Sequence, residues 1–209
     1  FGCQMNTADS EEMMLALAAR GCIICEDLNK ADIVLINTCT IREHAEHKAL
    51  SLLGRLRKWK EEKPGRIIIF AGCAAQRLGS AVRGKFPHVD IVCGAKKIDD
   101  FDKILDKSGL FGSDKSAGKS AALNSPIALV NIMRGCSCKC SYCIVPYVRG
   151  EAFSLDFDAV LKEIETKLSL GAKEIVLLGQ TVNAYNYKGK TFADLLRAAL
   201  KLEGLDRLR

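Results

Sequence analysis

Short unbroken apolar runs alternate along this chain with longer stretches in which apolar positions recur at helical spacing. Asn6-Thr7-Ala8-Asp9-Ser10 leads into a predicted helix over 11–20, acidic in its first turn and stopped by Gly21. Ile23-Ile24 reads as a short strand and 33–36 as a buried one. A long helix is predicted over 41–63, ending before Pro64, with Ala45, Ala49, Leu52, Leu56 and Trp59 on one face. Arg42, Lys48, Arg55, Lys58 and Lys60 fall largely elsewhere and read as a solvated face rather than a nucleic-acid groove. Strands over 67–70 and 89–92, a helix after Cys73 and another over 97–107 complete this half. Strands that are apolar throughout, rather than on alternate residues, indicate a parallel sheet covered on both faces. The expected architecture is α/β, a flavodoxin-like doubly wound sheet spanning residues 1–112.

Residues 113–126 are small and polar and end at a proline, the composition of a linker. A second β/α series occupies 127–209: a strand over 127–133, a cysteine-rich loop, a helix over 157–170, a strand over 174–178 and a helix over 192–202. Two such units cannot close a barrel and would leave an open parallel edge. The parent protein is therefore expected to continue past Arg209. Because the chain starts at Phe1, within what reads as the end of a strand, residues are expected before it as well.

Composition narrows the classes. With 209 residues and 48% hydrophobic content the chain can bury a core, and 27% charged residues argue against disorder. A formal charge of +6, spread over both halves, permits a nucleic-acid partner without requiring one. There is no apolar run of membrane-spanning length and no signal peptide, so no membrane partner is expected. Ten cysteines are the anomaly. Without a secretory signal they point to metal or catalytic thiols rather than disulfides, and with that to the cytoplasm.

Three of them follow predicted strands of the first half: Cys3 in Gly-Cys-Gln-Met-Asn, Cys39 in Asn-Thr-Cys-Thr and Cys73 in Gly-Cys-Ala. Strand carboxyl ends share one edge of an open parallel sheet, where ligands bind, so these three are expected to converge as cluster ligands. Their small neighbours Gly2, Thr38 and Gly72 would let an inorganic group approach the backbone. Cys93 ends a wholly apolar run and reads as core. Cys22 and Cys25 lie across the short strand and read as packing. In the second half, Cys136, Cys140 and Cys143 form C-x-x-x-C-x-x-C directly after a strand, with Tyr142 before the last cysteine. Thiolates so spaced on one loop suit three irons of a cubane cluster and leave a fourth open. A closed zinc site would need a fourth ligand, for which Cys138 is available.

The Cys136–Cys143 loop resembles the signature of radical S-adenosylmethionine (SAM) enzymes. Together with Gly-Cys-Gln-Met-Asn (2–6), Asn-Thr-Cys-Thr-Ile-Arg-Glu (37–43), Gly-Cys-Ala (72–74), Val-Asp-Ile-Val (89–92), Cys-Ser-Tyr-Cys-Ile-Val-Pro-Tyr-Val-Arg-Gly (140–150) and Gly-Gln-Thr-Val-Asn (179–183), it resembles the methylthiotransferase family across nearly the whole chain. Gly-Cys-Gln-Met-Asn and Cys-Ile-Val-Pro-Tyr are similar to the MiaB-type branch, which acts on isopentenylated adenosine beside the tRNA anticodon; the alternatives are the branches that act on threonylcarbamoyl-adenosine in tRNA or on a ribosomal-protein aspartate, and a catalytically inactive cluster-binding fragment. The resemblance implies two 4Fe–4S clusters and SAM as cofactors. Cys136, Cys140 and Cys143 would hold the cluster that cleaves SAM, and Cys3, Cys39 and Cys73 an auxiliary cluster that handles the inserted sulfur. It places Tyr142 and Gln180 beside the cofactor and Arg149 and Asn183 beside the substrate, and assigns no catalytic acid, base or nucleophile. It implies tRNA and an electron donor such as flavodoxin or ferredoxin as partners, leaves the sulfur donor open, and makes 127–209 the start of an incomplete radical SAM barrel of partial TIM type. Three features depart from the family's pattern. Ala152 and Leu155 stand where a Glu and an Arg are usual, Cys138 is an extra thiol, and the later barrel strands and a C-terminal RNA-binding domain are missing.

Overall fold

The computed structural model describes residues 1–111 and 125–209, which form two compact units divided near residue 121. The linker expected over 113–126 lies, except for Ser125 and Pro126, outside the described residues.

In the first unit, α1 (Gln4–Ala18), β1 (Ile33–Thr38), α2 (Glu43–Glu61), β2 (Ile67–Gly72), α3 (Cys73–Leu78), α4 (Ala81–Lys85), β3 (Ile91–Gly94) and α5 (Phe101–Ser108) follow one another. The strands pair in parallel in the order β1-β2-β3, in a register that sets Thr38, Gly72 and Gly94 at one level. Parallel pairing needs crossovers, and α2 and α3–α4 supply them. Side chains alternate between the two faces of the sheet. Ile68 and Phe70 join Ala49, Leu53, Leu56 and Trp59 of α2 in one core, to which Val82 and Phe86 also belong. Ile69, Ile91 and Cys93 fall on the other face by register, and Asp9 of α1 lies within electrostatic range of Cys93. Helices α1 and α5 are joined through Arg20, which pairs with both Asp102 and Asp106. The backbone of Phe1 continues the sheet beyond β1: its nitrogen donates to the Asn37 carbonyl (2.9 Å), and its own carbonyl accepts from the Cys39 amide (3.0 Å).

Two expectations fail here. The first helix begins at Gln4, directly after Cys3, because Asn6 folds back to serve that turn and no separate leader is needed. Ile23-Ile24 is not a strand. Ile23 is 89% exposed, Cys25 is exposed and Cys22 half-buried, so packing does not account for the Cys22–Cys25 pair. The edge beside β1 is taken by the Phe1 backbone.

The second unit contains β4 (Ile127–Asn131), β5 (Met133–Arg134), α6 (Val145–Arg149), β6 (Phe153–Ser154), α7 (Phe157–Ser169), β7 (Glu174–Leu178), β8 (Asn186–Tyr187), β9 (Lys190–Thr191), α8 (Phe192–Ala199) and β10 (Arg207–Leu208). Parallel pairing gives the order β10-β7-β4, so a third barrel-type strand is present beyond the two expected. The antiparallel pair β5–β6 leaves and re-enters this layer and brackets the cysteine loop. Asp156 caps α7 by accepting from the amides of Asp158 (3.0 Å) and Ala159 (2.9 Å). Val130, Ile132, Val160, Ile164, Ile175, Leu177 and Leu195 form the core. Among the described residues no helix is long and apolar enough to cross a membrane.

Candidate iron–sulfur centres

Continuing the ladder one residue past β1 and β2 brings Cys39 and Cys73 to one level of the sheet's carboxyl edge. Cys3 enters from the adjoining backbone and precedes α1. Cys39 is hydrogen-bonded to the Cys3 thiol and lies within electrostatic range of Cys73. The Cys3 contact, together with burial, raises the Cys39 pKa well above the ordinary thiol value, while the amides of Arg42 and Ile41 at the start of α2 favour a thiolate there. Metal ligation therefore has a proton to displace at this position and two amides ready to stabilise the resulting sulfur charge. Cys93 pairs with Ala71, two levels lower in the register. It is fully buried, its thiol pushed up to about 12 by burial, as suits a core residue.

Two buried asparagines hold this edge together. Asn6 accepts from the Cys3 amide (3.4 Å) and thiol (3.2 Å) and donates to Asn37 Oδ1 (3.0 Å). Asn37, at the end of β1, donates in turn to the Asn6 carbonyl (2.8 Å) and to Ser10 Oγ (3.0 Å). The neighbouring glycines make room for these amides. A Cβ on Gly2 would stand 2.6 Å from Asn6 Oδ1, and one on Gly72, whose φ is +94°, would stand 2.2 Å from Asn37 Oδ1. Gly2 and Gly72 thus admit the asparagines. Composition gave no warning of this link, although both asparagines stand inside the motifs quoted around Cys3 and Cys39.

A second link joins Cys39 to Cys73. Glu46, buried on α2, pairs with Arg77 of α3 and accepts from Thr40 Oγ1 (2.5 Å). Burial works against the Glu46 carboxylate, but Arg77 and Thr40 together hold its pKa below the ordinary glutamate value.

In the second unit, the loop from Cys136 to Cys143 is anchored at both ends. The Cys136 amide donates to the Gly150 carbonyl (3.0 Å), the Cys143 amide to the Cys140 carbonyl (3.1 Å), and the Ala152 amide to Ser137 Oγ (3.0 Å). Gly135, at φ +72°, has no room for a side chain, since its Cβ would stand 2.0 Å from the Glu151 carbonyl oxygen. The parallel β4–β7 ladder carries Gly179-Gln180-Thr181 to the same end, and Thr181 Oγ1 reaches within 3.9 Å of Cys136 Sγ. The Cys138 amide, aided by Thr181, lowers the Cys136 pKa, whereas the Cys138 thiol is raised by its contact with Cys136 and by the nearby Cys140 and Cys143. Cys138 thus lies within electrostatic reach of each of the other three loop thiols. Tyr142 is 91% exposed, Asn183 is exposed, and Arg149 is buried in α6. Leu155, in place of an arginine, packs against the unit's core and accepts from Tyr185 Oη through its carbonyl (2.9 Å).

All ten cysteines are free thiols. Among the described residues no three His, Cys, Asp or Glu side chains form the compact group that holds a single ion.

Residues 1–94 match the family described as "Uncharacterized protein family UPF0004", and residues 130–208 match the radical SAM superfamily. Relatives named tRNA-2-methylthio-N(6)-dimethylallyladenosine synthase align over this entire chain. That of Endomicrobium trichonymphae is 40% identical over 211 residues, that of Thermodesulfovibrio yellowstonii 40% over 218, and that of Neisseria meningitidis serogroup A 43% over 227. Over its whole length the chain is thus similar to these synthases, and over residues 130–208 to radical SAM proteins. It spans about half the length of these relatives: 50%, 50% and 51%, respectively. The radical SAM match implies an iron–sulfur cluster and SAM.

Replacing Asn37 by Ala strands the Asn6 amide and the Ser10 hydroxyl in a buried setting. It is expected to lower unfolding stability by about 2–4 kcal/mol in urea titration, with α1 exchanging its amide hydrogens faster. A loss below about 0.5 kcal/mol would show that the asparagine link is dispensable.

The depressed Glu46 pKa gives a signed pH dependence. Its stabilising contribution is fully present above the ordinary glutamate value of 4.5 and disappears as the pH falls through the lower folded-state value. Glu46→Gln should therefore flatten the acid limb of the stability curve while lowering stability at neutral pH. An acid limb unchanged in the variant would remove Glu46 from that role.

Proposed function

We propose that the protein to which this chain contributes is a radical SAM tRNA methylthiotransferase that places a methylthio group on carbon 2 of isopentenylated adenosine next to the anticodon. The observation that carries the reading is that Cys39 and Cys73 fall at one level just beyond two parallel strands, with Cys3 hydrogen-bonded to Cys39, while Cys136, Cys140 and Cys143 share one short loop after a strand of the other unit. The names of the relatives support tRNA and this adenosine as the substrate. Residues 1–112 act as the auxiliary-cluster domain and 127–209 as the start of the radical SAM domain, with 113–126 joining them. A 4Fe–4S cluster on the second triad would supply the electron that cleaves SAM, and the cluster on the first would carry the sulfur.

The side chains have positioning tasks. Gly135 and Gly150 set the backbone path of the loop, and Thr181 stands beside Cys136, with Gln180 carried to the cofactor edge by β7. Tyr142 projects from the loop, where its ring can screen the site from water. Exposed Asn183 is available to substrate, and Arg149, buried in α6, is the other proposed substrate residue. A flavodoxin- or ferredoxin-like donor is the electron source, and the setting is cytoplasmic. Cys138, outside the three-ligand spacing, is not a ligand in this scheme.

Anaerobically reconstituted full-length protein is expected to hold eight irons, about four per triad. Changing Cys3, Cys39 and Cys73 to Ala, or Cys136, Cys140 and Cys143 to Ala, should each remove half, and Cys138→Ser should remove none. Stoichiometric zinc without acid-labile sulfide would contradict the cluster assignment.

Deleting the gene in its host should abolish methylthiolated isopentenyl-adenosine in digested tRNA and leave its unmethylthiolated precursor. Persistence of that nucleoside, with loss of a methylthio group from another tRNA base or a ribosomal protein, would reassign the substrate.

A further inference from the structure

On α2, Lys48, Arg55 and Lys58 are all exposed and fall, with His44 and Ser51, within one narrow face at i, i+4, i+7, i+11 and i+14. From His44 to Lys58 this row is about 21 Å long at 1.5 Å per residue. The opposite face is fixed in the core by Ala49, Leu53, Leu56 and Trp59, so the row's orientation is determined by packing. Its charges are uncompensated because the carboxylates of this region are engaged elsewhere. Glu43 faces His47 at 3.8 Å, buried Glu46 pairs with Arg77, Glu61 with Arg57 at 3.0 Å, and Glu62 with Arg66 at 3.6 Å. No ion pair is formed by Lys48, Arg55 or Lys58 among the described residues. Most other cations of this unit do have carboxylate partners, including Arg20, Lys60, Lys63 and Lys103.

Gly54 lies beside this row, inside an exposed helix turn. A Cβ there would meet nothing within 4 Å, so packing does not call for glycine. Glycine in a helix interior costs about 0.5–1 kcal/mol relative to alanine. With Ser51 it leaves a low, polar strip alongside the three long cations. No exposed residue of α2 is a large apolar side chain, which separates this surface from the apolar centre of a typical protein interface. The solvated face expected from sequence thus has the charge and shape of a phosphate track.

We propose that the Lys48–Arg55–Lys58 row is a binding surface for the sugar–phosphate backbone of RNA. In the tRNA-modifying reading, on which this proposal rests, it grips the substrate away from the reacting base. Such contacts position a nucleic acid without reading its sequence. They release about 0.7–0.9 counterion per phosphate neutralised, and three contacts therefore contribute about 2–3 to the slope of log affinity against log salt.

The test uses the full-length protein and tRNA with and without the isopentenyl group, titrated between 50 and 200 mM KCl. Lys48→Gln/Arg55→Gln/Lys58→Gln should reduce the salt slope by about 2–3, so that the wild-type advantage shrinks about 20-fold or more across that range. The loss should be equal for the two tRNAs, with unfolding stability unchanged. Arg57→Gln, off the row and paired with Glu61, should leave the slope as it is. Gly54→Leu should weaken tRNA binding without lowering stability. A wild-type slope in the triple variant, or a loss confined to the isopentenylated tRNA, would overturn the phosphate track while leaving the enzymatic reading intact. Unchanged tRNA binding with slower reduction by a flavodoxin-like donor would assign the row to an acidic protein instead. Absence of tRNA binding by the wild type would overturn both the track and the substrate reading.

Discussion

The hydrogen-bonded amides of Asn6 and Asn37 tie the start of α1 to the end of β1, and the first cysteine triad is built around that junction. A buried amide left without partners costs more than a formed bond returns, so each asparagine effectively dictates the other's position. Asn6 carries Cys3 with it, Asn37 lies two residues before Cys39, and Gly72, which must stay bare against Asn37, precedes Cys73. Three cysteines separated by long stretches of sequence are thereby brought to one edge without covalent bonds between them. The Glu46–Arg77–Thr40 cluster adds a connection from Cys39 to Cys73 on the α2 side.

The second unit reaches a comparable result by different means. Its cysteines lie close in sequence, so the structural problem is directing a short loop rather than gathering distant strands. Steric exclusion does this: Gly135 is pressed against the Glu151 carbonyl and Gly179 against Met133, where a Cβ would stand 2.5 Å from the Met133 side chain. The two units share a principle, in that parallel ladders end at a common level and reactive thiols stand just beyond. They differ in whether polar pairing or close packing fixes the final position.

The ladders themselves were legible because a buried parallel strand is a run of apolar residues, and the strand over 174–178 is found with the expected limits. Two-residue strands such as Phe153–Ser154 carry no periodicity to read, and α6 begins with Val145-Pro146, which resembles a turn in isolation. Ile23-Ile24 misled because hydrophobicity was read as burial, and exposed apolar residues are common on folded proteins. The basic residues of α2 were visible in sequence, but whether each had a carboxylate partner was decided by side chains from other elements.

Leu155 gives one feature of the second unit a wider meaning. It occupies the return strand's end, immediately after the cysteine loop closes, and its side chain belongs to the same core as Val160 and Ile164. An arginine at this position would be held by charge, and its loss would be felt mainly at the site. A leucine makes the loop's exit a part of the fold's own packing. Mutational drift in that core, even at positions far from any thiol, is then transmitted to the loop as displacement. Tolerance to substitution and accuracy of the site become one quantity, and laboratory evolution of this segment would have to improve both together.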